Sequence, residues 1–99
     1  MEVIERVEIL KNGQLILVLA SGGNTSYQHI YREAAEVKWN SNLKAFTSPR
    51  PRDWSYSDWF HHIFKVAKNC NINLVTNNQT TWVNIPTDVK NEILAGNNT

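Results

Sequence analysis

The sequence predicts an α+β domain: a mainly antiparallel sheet of four to six strands, one face covered by an amphipathic helix, with a short helix near the C-terminal end. Three observations lead there. Residues Tyr56 to Asn69 carry apolar side chains at helical spacing behind a serine cap. Two apolar runs flank Asn12-Gly13 as the arms of a hairpin. Ile72 to Thr76 and Thr80 to Ile85 are short runs rich in β-branched residues, separated by the turn signal Asn77-Asn78.

In chain order, Val3 to Leu10 alternates imperfectly, with Val3, Val7 and Ile9 on one side and Glu2, Arg6 and Glu8 on the other, as in a half-exposed strand. Asn12-Gly13 suits a type I′ turn, which needs positive φ at both central residues. Leu15 to Ala20 is apolar on both faces, so this strand is expected to be central, or covered on its second face by a second copy of the chain in a homodimer. After the turn Ser21-Gly22-Gly23-Asn24, Tyr27 to Arg32 is assigned as a strand on its aromatic content, although Tyr27, Ile30, Tyr31, Ala34 and Val37 would also share a helix face. Arg32 to Lys38 follows as a short helical turn. A second hairpin around Asn40-Ser41-Asn42 sets Val37 and Trp39 opposite Ala45 and Phe46. Pro49 and Pro51 make Ser48 to Trp54 a linker, because they remove backbone donors and hold their predecessors extended.

The main helix is the largest single source of core. At about 100° per residue, Tyr56, Trp59, Phe60, Ile63, Phe64, Val66, Ala67 and Cys70 fall within roughly 160° of one another. Ser55 or Ser57 caps the first free amides, and Asp58 meets the positive end of the dipole. Asn69, Cys70 and Asn71 supply the stop, since Asn tolerates the left-handed conformation. Thr87 is expected to cap a final helix after Pro86, with Val89 and Ile93 on its inner face; residues 96 to 99 are expected to fray.

A chain of 99 residues forms one domain, and its apolar fraction of 41% excludes wholesale disorder. The net charge of +1 argues against a protein that coats nucleic acid generally. Its one cysteine, Cys70, lies on the apolar helix face and reads as a small buried hydrophobe. No apolar run has the length of a membrane span, and the start MEVIERVE lacks a secretion-signal core, so a cytoplasmic protein without membrane partners is expected.

Candidate site residues gather around the helix. His61 and His62 are adjacent, so they diverge by about 100° and do not chelate one metal, and no ligand stands four residues on. His62 is expected to pair with Asp58, leaving both histidines on a solvated face. A ribonuclease-like use of one of them as general base requires a second acid, which His29 supplies only if the fold converges. Between Lys44 and Lys68 there are five basic residues (Lys44, Arg50, Arg52, Lys65, Lys68) against two acidic ones, a local balance of +3. Arg50 and Arg52 beside Trp54 can hold an acidic protein or a nucleic-acid strand. Trp54 is assigned either to closing the first helical turn or to lining a pocket with Trp39 and Tyr31.

Tyr31, Val37-Lys38-Trp39-Asn40, Ser48-Pro49, the helix Trp59 to Lys68 and Ile72-Asn73-Leu74 together resemble a loose group of small bacterial proteins. The group includes products of integron gene cassettes and some immunity proteins of polymorphic toxin systems. The paired prolines that such immunity proteins tend to show after the Trp are here displaced by Asn40 to Ser48 and split by Arg50, and Trp82 to Gly96 has no counterpart in the resemblance. The resemblance implies a compact, non-catalytic, partner-binding protein, and the residues give no reason to expect a cofactor or metal. The tentative partner-binding residues are Trp39, Arg50, Arg52, Trp54, His61, His62, Lys65 and Lys68, and the partner is expected to be a protein, acidic in character. Nucleic-acid binding through the linker and the basic helix face is the alternative.

Overall fold

The computed structural model describes residues 2–32, 36–51 and 54–96. Strands β1 (Glu2–Ile9) and β2 (Leu15–Leu19) form an antiparallel hairpin, and β3 (Lys38–Asn40) and β4 (Ala45–Thr47) form a second. β4 pairs with β2, so β2 is central. β5 (Leu74–Val75) and β6 (Thr81–Val83) both run parallel to β1 along its other edge. The sheet of six strands is therefore mixed, ordered β3-β4-β2-β1-β5 with β6 also on β1.

β1 holds the irregularity behind its imperfect alternation. Ile4 faces Leu19 and Arg6 faces Val18, so two steps on β1 match one on β2, and Glu5 is the extra residue of a β-bulge. Across the bulge Ile4 and Val7 both reach the core and are fully buried, and Ile9 packs against it, so Ile4 takes the place of Val3 in the set Val3, Val7 and Ile9 that strict alternation implies. The hairpin loop also departs from type I′. Gly13 has φ +91 but Asn12 does not have positive φ, and the Gly13 N–H donates to the Leu10 carbonyl at 2.9 Å. Leu10 N–H donates to Gln14 O, also at 2.9 Å, which closes a three-residue loop with glycine in the left-handed position.

The segment expected as a third meander strand is instead a 3-10 helix, η1 (Thr25–Arg32). Asn24 starts it, its side-chain oxygen accepting from Ser26 N–H at 2.9 Å and its carbonyl from Tyr27 N–H at 3.0 Å. The apolar pair Tyr27 and Ile30 is three apart, the repeat of a 3-10 turn, and this outweighs the aromatic preference for strand. Of the expected helical turn Arg32 to Lys38, residues 33–35 lie outside those described, Arg32 ends η1, and by Lys38 the chain has entered β3.

Helix α1 (Tyr56–Asn69) covers one face of the sheet. Ser55 and Asp58 form a capping box: Ser55 Oγ accepts from Asp58 N–H at 3.1 Å and the Asp58 carboxylate accepts from Ser55 N–H at 3.2 Å. At the other end Asn71 takes φ +65, Ile72 N–H donates to Ala67 O and Asn71 N–H to Lys68 O, which is a Schellman stop. Trp59, Phe60, Ile63, Val66 and Ala67 point inward onto Leu15, Leu17, Leu19, Val7 and Phe46, each large side chain contributing about 1.5–3 kcal/mol by leaving water. Helix α2 (Thr87–Gly96) adds Ile93 to this core. Pro86, not Thr87, takes the capping position: its carbonyl accepts from Lys90 N–H at 3.0 Å.

The second face of β2 is buried within the chain itself, since Ile16, Val18 and Ala45 form a small cluster of their own. In the register Arg6 lies beside Val18 and Glu8 beside Ile16, and these two charged residues pair with each other at 3.0 Å. The Arg6 Nε of this pair is itself buried.

Two interactions fix the joins. Ser48 is buried, accepts from Leu15 N–H through its hydroxyl at 3.0 Å, and donates its own N–H to Leu15 O at 2.9 Å, extending the β2–β4 ladder into the linker. Gly23 has φ +78, and a Cβ placed there would lie 2.2 Å from the Trp39 ring. Ser48→Ala is expected to orphan the Leu15 amide and cost about 1–3 kcal/mol in urea denaturation. Gly23→Ala is expected to cost about 2–3 kcal/mol, from backbone strain and displacement of Trp39, with a shift in tryptophan emission as its signature.

Candidate functional site

The Ser55 cap holds Trp54 against the outer side of the first helical turn. Trp54 is 46% exposed, the more open of the two exposed large hydrophobic residues among those described; the other is Leu43 at 37%. Its ring centroid lies 4.9 Å from Trp59 and 5.1 Å from His62, and Trp59 and His62 are 5.6 Å apart. Trp59 is buried, so the cluster is a fixed aromatic step with one ring sunk in the core and one presented to solvent. Lys65, exposed, follows His62 by one turn, and its charge acts on the imidazole.

The histidines are half-buried, not solvated. His62 is covered by Trp54 and Trp59, and Asp58, its expected partner, is engaged by Ser55 in the capping box. His61 turns to the other side, where its ring meets Phe60 edge-on at 5.7 Å and its Nε2 lies 3.3 Å from the Ile93 carbonyl of α2. A carbonyl only accepts, so this nitrogen carries the proton and joins the two helices. His29 reaches α1 near Cys70, eight residues and about 12 Å of helix beyond His62, which separates it from both histidines.

Of the sequence-predicted set, Trp54, His62 and Lys65 come together. Trp39 belongs elsewhere: it packs edge-on against Tyr27 at 5.4 Å and against Phe46 at 4.9 Å. The side chain of Tyr31, the third member of the expected pocket, lies outside the described residues. Arg50 is exposed, and its stem runs along Gly13 of the first hairpin loop. Arg52 lies outside the described residues, and Lys68 is exposed in the last turn of α1.

Sequence reasoning missed the polar clasp at the other end of the molecule. The Glu2 carboxylate accepts from the Tyr27 hydroxyl and, at 2.7 Å, from Ser21 Oγ, tying η1 to β1. Burial, then the bond to Glu2 and its charge, push the Tyr27 phenol up to about 12. No local pattern could have signalled it, because the partners are 25 positions apart. Among the described residues, no group of three or more His, Cys, Asp or Glu side chains is placed to hold a metal, and no helix is long and apolar enough to cross a membrane.

Burial, and secondarily Lys65, hold the His62 pKa below the ordinary 6.5. The unfolded chain therefore binds the proton more readily. His62 leaves stability intact above the ordinary histidine value and diminishes it as pH falls from there through the lowered folded-state value. An NMR titration is expected to place the His62 midpoint below that of a model histidine, and Lys65→Gln to raise it. A flatter stability profile on the acid side is expected for His62→Gln.

The family described as Integron Cassette Protein Hfx_Cass5 matches residues 16–80. A solved structure from the mobile metagenome of North West Arm Sewage Outfall, Integron Cassette Protein Hfx_Cass5, is 33% identical, with the match covering 100% of this chain and 97% of that one at a TM-score of 0.45. No curated protein matches the chain. From β2 to the end of the β5–β6 turn, the sequence is that of a member of the Hfx_Cass5 family of integron cassette proteins, and the chain belongs to it.

Proposed function

We propose that this cassette product is a non-catalytic accessory module that binds an acidic protein, in the manner of an immunity protein, through the step formed by Trp54, His62 and Lys65. The observation that carries the reading is Trp54. A tryptophan held by two ring contacts yet left 46% exposed is an anchor lacking a socket within the described residues, and such residues dominate the energetics of protein interfaces because they bring large area at little entropic cost. Lys65, one turn beyond His62, sets the sign of the partner.

The test is affinity capture from the native host with wild-type protein, Trp54→Ala and Lys65→Glu, each checked for fold by circular dichroism. The expected outcome is a protein retained by the wild type, bound about 30-fold more weakly by Trp54→Ala, equivalent to roughly 2 kcal/mol, and released by added salt. Equal retention by all three proteins overturns the reading. So does a low-salt mobility shift with single-stranded oligonucleotides in place of protein capture.

A further inference from the structure

Asn12-Gly13, in the loop between β1 and β2, is the chain's one Asn-Gly step, and it carries chemistry of its own. Glycine has no Cβ to shield its backbone nitrogen, so the nitrogen of Gly13 can reach the carboxamide carbon of Asn12. Asn12 is exposed, and water has access to it. The native loop, however, holds both reacting groups. Asn12 Oδ1 accepts from Gln14 N–H at 2.9 Å and Asn12 Nδ2 donates to Gln14 Oε1 at 2.8 Å, so the carboxamide is gripped at both ends. Gly13 N–H donates to the Leu10 carbonyl at 2.9 Å, which engages the attacking nitrogen. The loop is also tied down from outside. Tyr56 of α1 donates its hydroxyl to Gly13 O at 3.0 Å, and Gln14 Nε2 donates to the Ser48 carbonyl at 3.0 Å.

We propose that Asn12 is a modification site gated by this loop, shielded while the hydrogen bonds stand and converted to aspartate and isoaspartate when the loop opens. In the open loop Gly13 N gives up its proton to hydroxide and attacks Asn12 Cγ. A new N–Cγ bond closes a succinimide ring, and the Cγ–Nδ2 bond breaks as the amide nitrogen takes up a proton from water and leaves as ammonia. Water then adds to a ring carbonyl. Opening at Cγ gives aspartate, and opening at the backbone carbonyl carbon of Asn12 gives isoaspartate, with the main chain rerouted through the side-chain methylene. The net reaction consumes water and releases ammonia, and no oxidant or reductant takes part. Both products add a carboxylate, which cancels the formal net charge of +1, beside the glycine along which the Arg50 stem runs. Isoaspartate also lengthens the main chain between Leu10 and Gln14, whose mutual hydrogen bond closes the loop and holds the register of the β1–β2 hairpin.

The experiment ages the purified full chain at neutral pH beside a synthetic peptide running from Glu8 to Leu17. Peptide mapping reads conversion of Asn12 from the mass gained when amide becomes acid, and enzymatic methylation of isoaspartate reads the rerouted product. Conversion in the folded protein is expected to be at least about tenfold slower than in the peptide, the factor set by the rarity of loop opening. Tyr56→Phe leaves Asn12, Gly13 and Gln14 unchanged and removes only the tie from α1. It is expected to speed conversion in the folded protein about fivefold, the factor that one net hydrogen bond supplies, and to leave the rate in the urea-unfolded chain unchanged. Gln14→Ala, which frees the Asn12 amide nitrogen and the tie to Ser48, serves as a second variant with the same expected direction. Conversion in the folded protein as fast as in the peptide, or a folded-state rate that neither variant raises, would overturn the proposal.

Discussion

The bulge at Glu5 is the constraint on which the other elements rest. It divides the outer edge of β1 in two, so that Glu2 and Val3 pair with β5 while Arg6 to Glu8 pair with β6. The β5–β6 connection closes at this division. Thr80 Oγ1 donates to the Ile4 carbonyl at 2.7 Å and accepts from Asn77 N–H at 3.0 Å. A regular β1 would place Ile4 and Val7 on opposite faces, removing one of them from beneath α1. A single extra residue thus fills the core and admits two short parallel strands to one edge, and the added twist curls the sheet around α1.

What could be read from the sequence was what is written locally. Tyr56–Asn69 was legible to the residue because cap, periodicity and stop lie within seventeen consecutive positions, from Ser55 to Asn71. The strand pair flanking Asn12-Gly13 was legible for the same reason, and across Asn40-Ser41-Asn42 so was Trp39 opposite Phe46, while Asn40 and not Val37 faces Ala45. The bulge was not, because nothing in EVIERVEI marks Glu5 as unpaired until Leu19 and Val18 are opposite it. Tyr27, His29 and Tyr31 alternate like a strand, and only the cap by Asn24 and the packing of Ile30 settle the 3-10 helix. At the candidate site, the place of Trp54 against the helix start was one of two alternatives that the sequence left open. The burial of His61 and His62 was not legible, because part of it comes from α2 and the ring of Trp54, which lie outside α1.

The two ends of α1 are fixed through the same principle. At the start, a capping box fixes the backbone and so holds an indole half out of the core. At the finish, a left-handed Asn71 turns the chain so that Ile72 joins the core rather than continuing the helix. Both arrangements are by-products of satisfying orphaned helix-end amides and carbonyls. The rigid middle of the helix is given over to packing on β2.

The parallel pairing of β1 with β5 and β6 also dictates an order of events during synthesis. Val3 waits for Val75, and Val7 for Trp82, so most of the polypeptide must leave the ribosome before the outer edge of β1 is satisfied. Until then the first hairpin offers a bare strand edge to any passing chain, and closing loops of more than seventy residues is slow compared with forming either hairpin. The alternating charges Glu2, Arg6 and Glu8 on that strand act as gatekeepers during the wait.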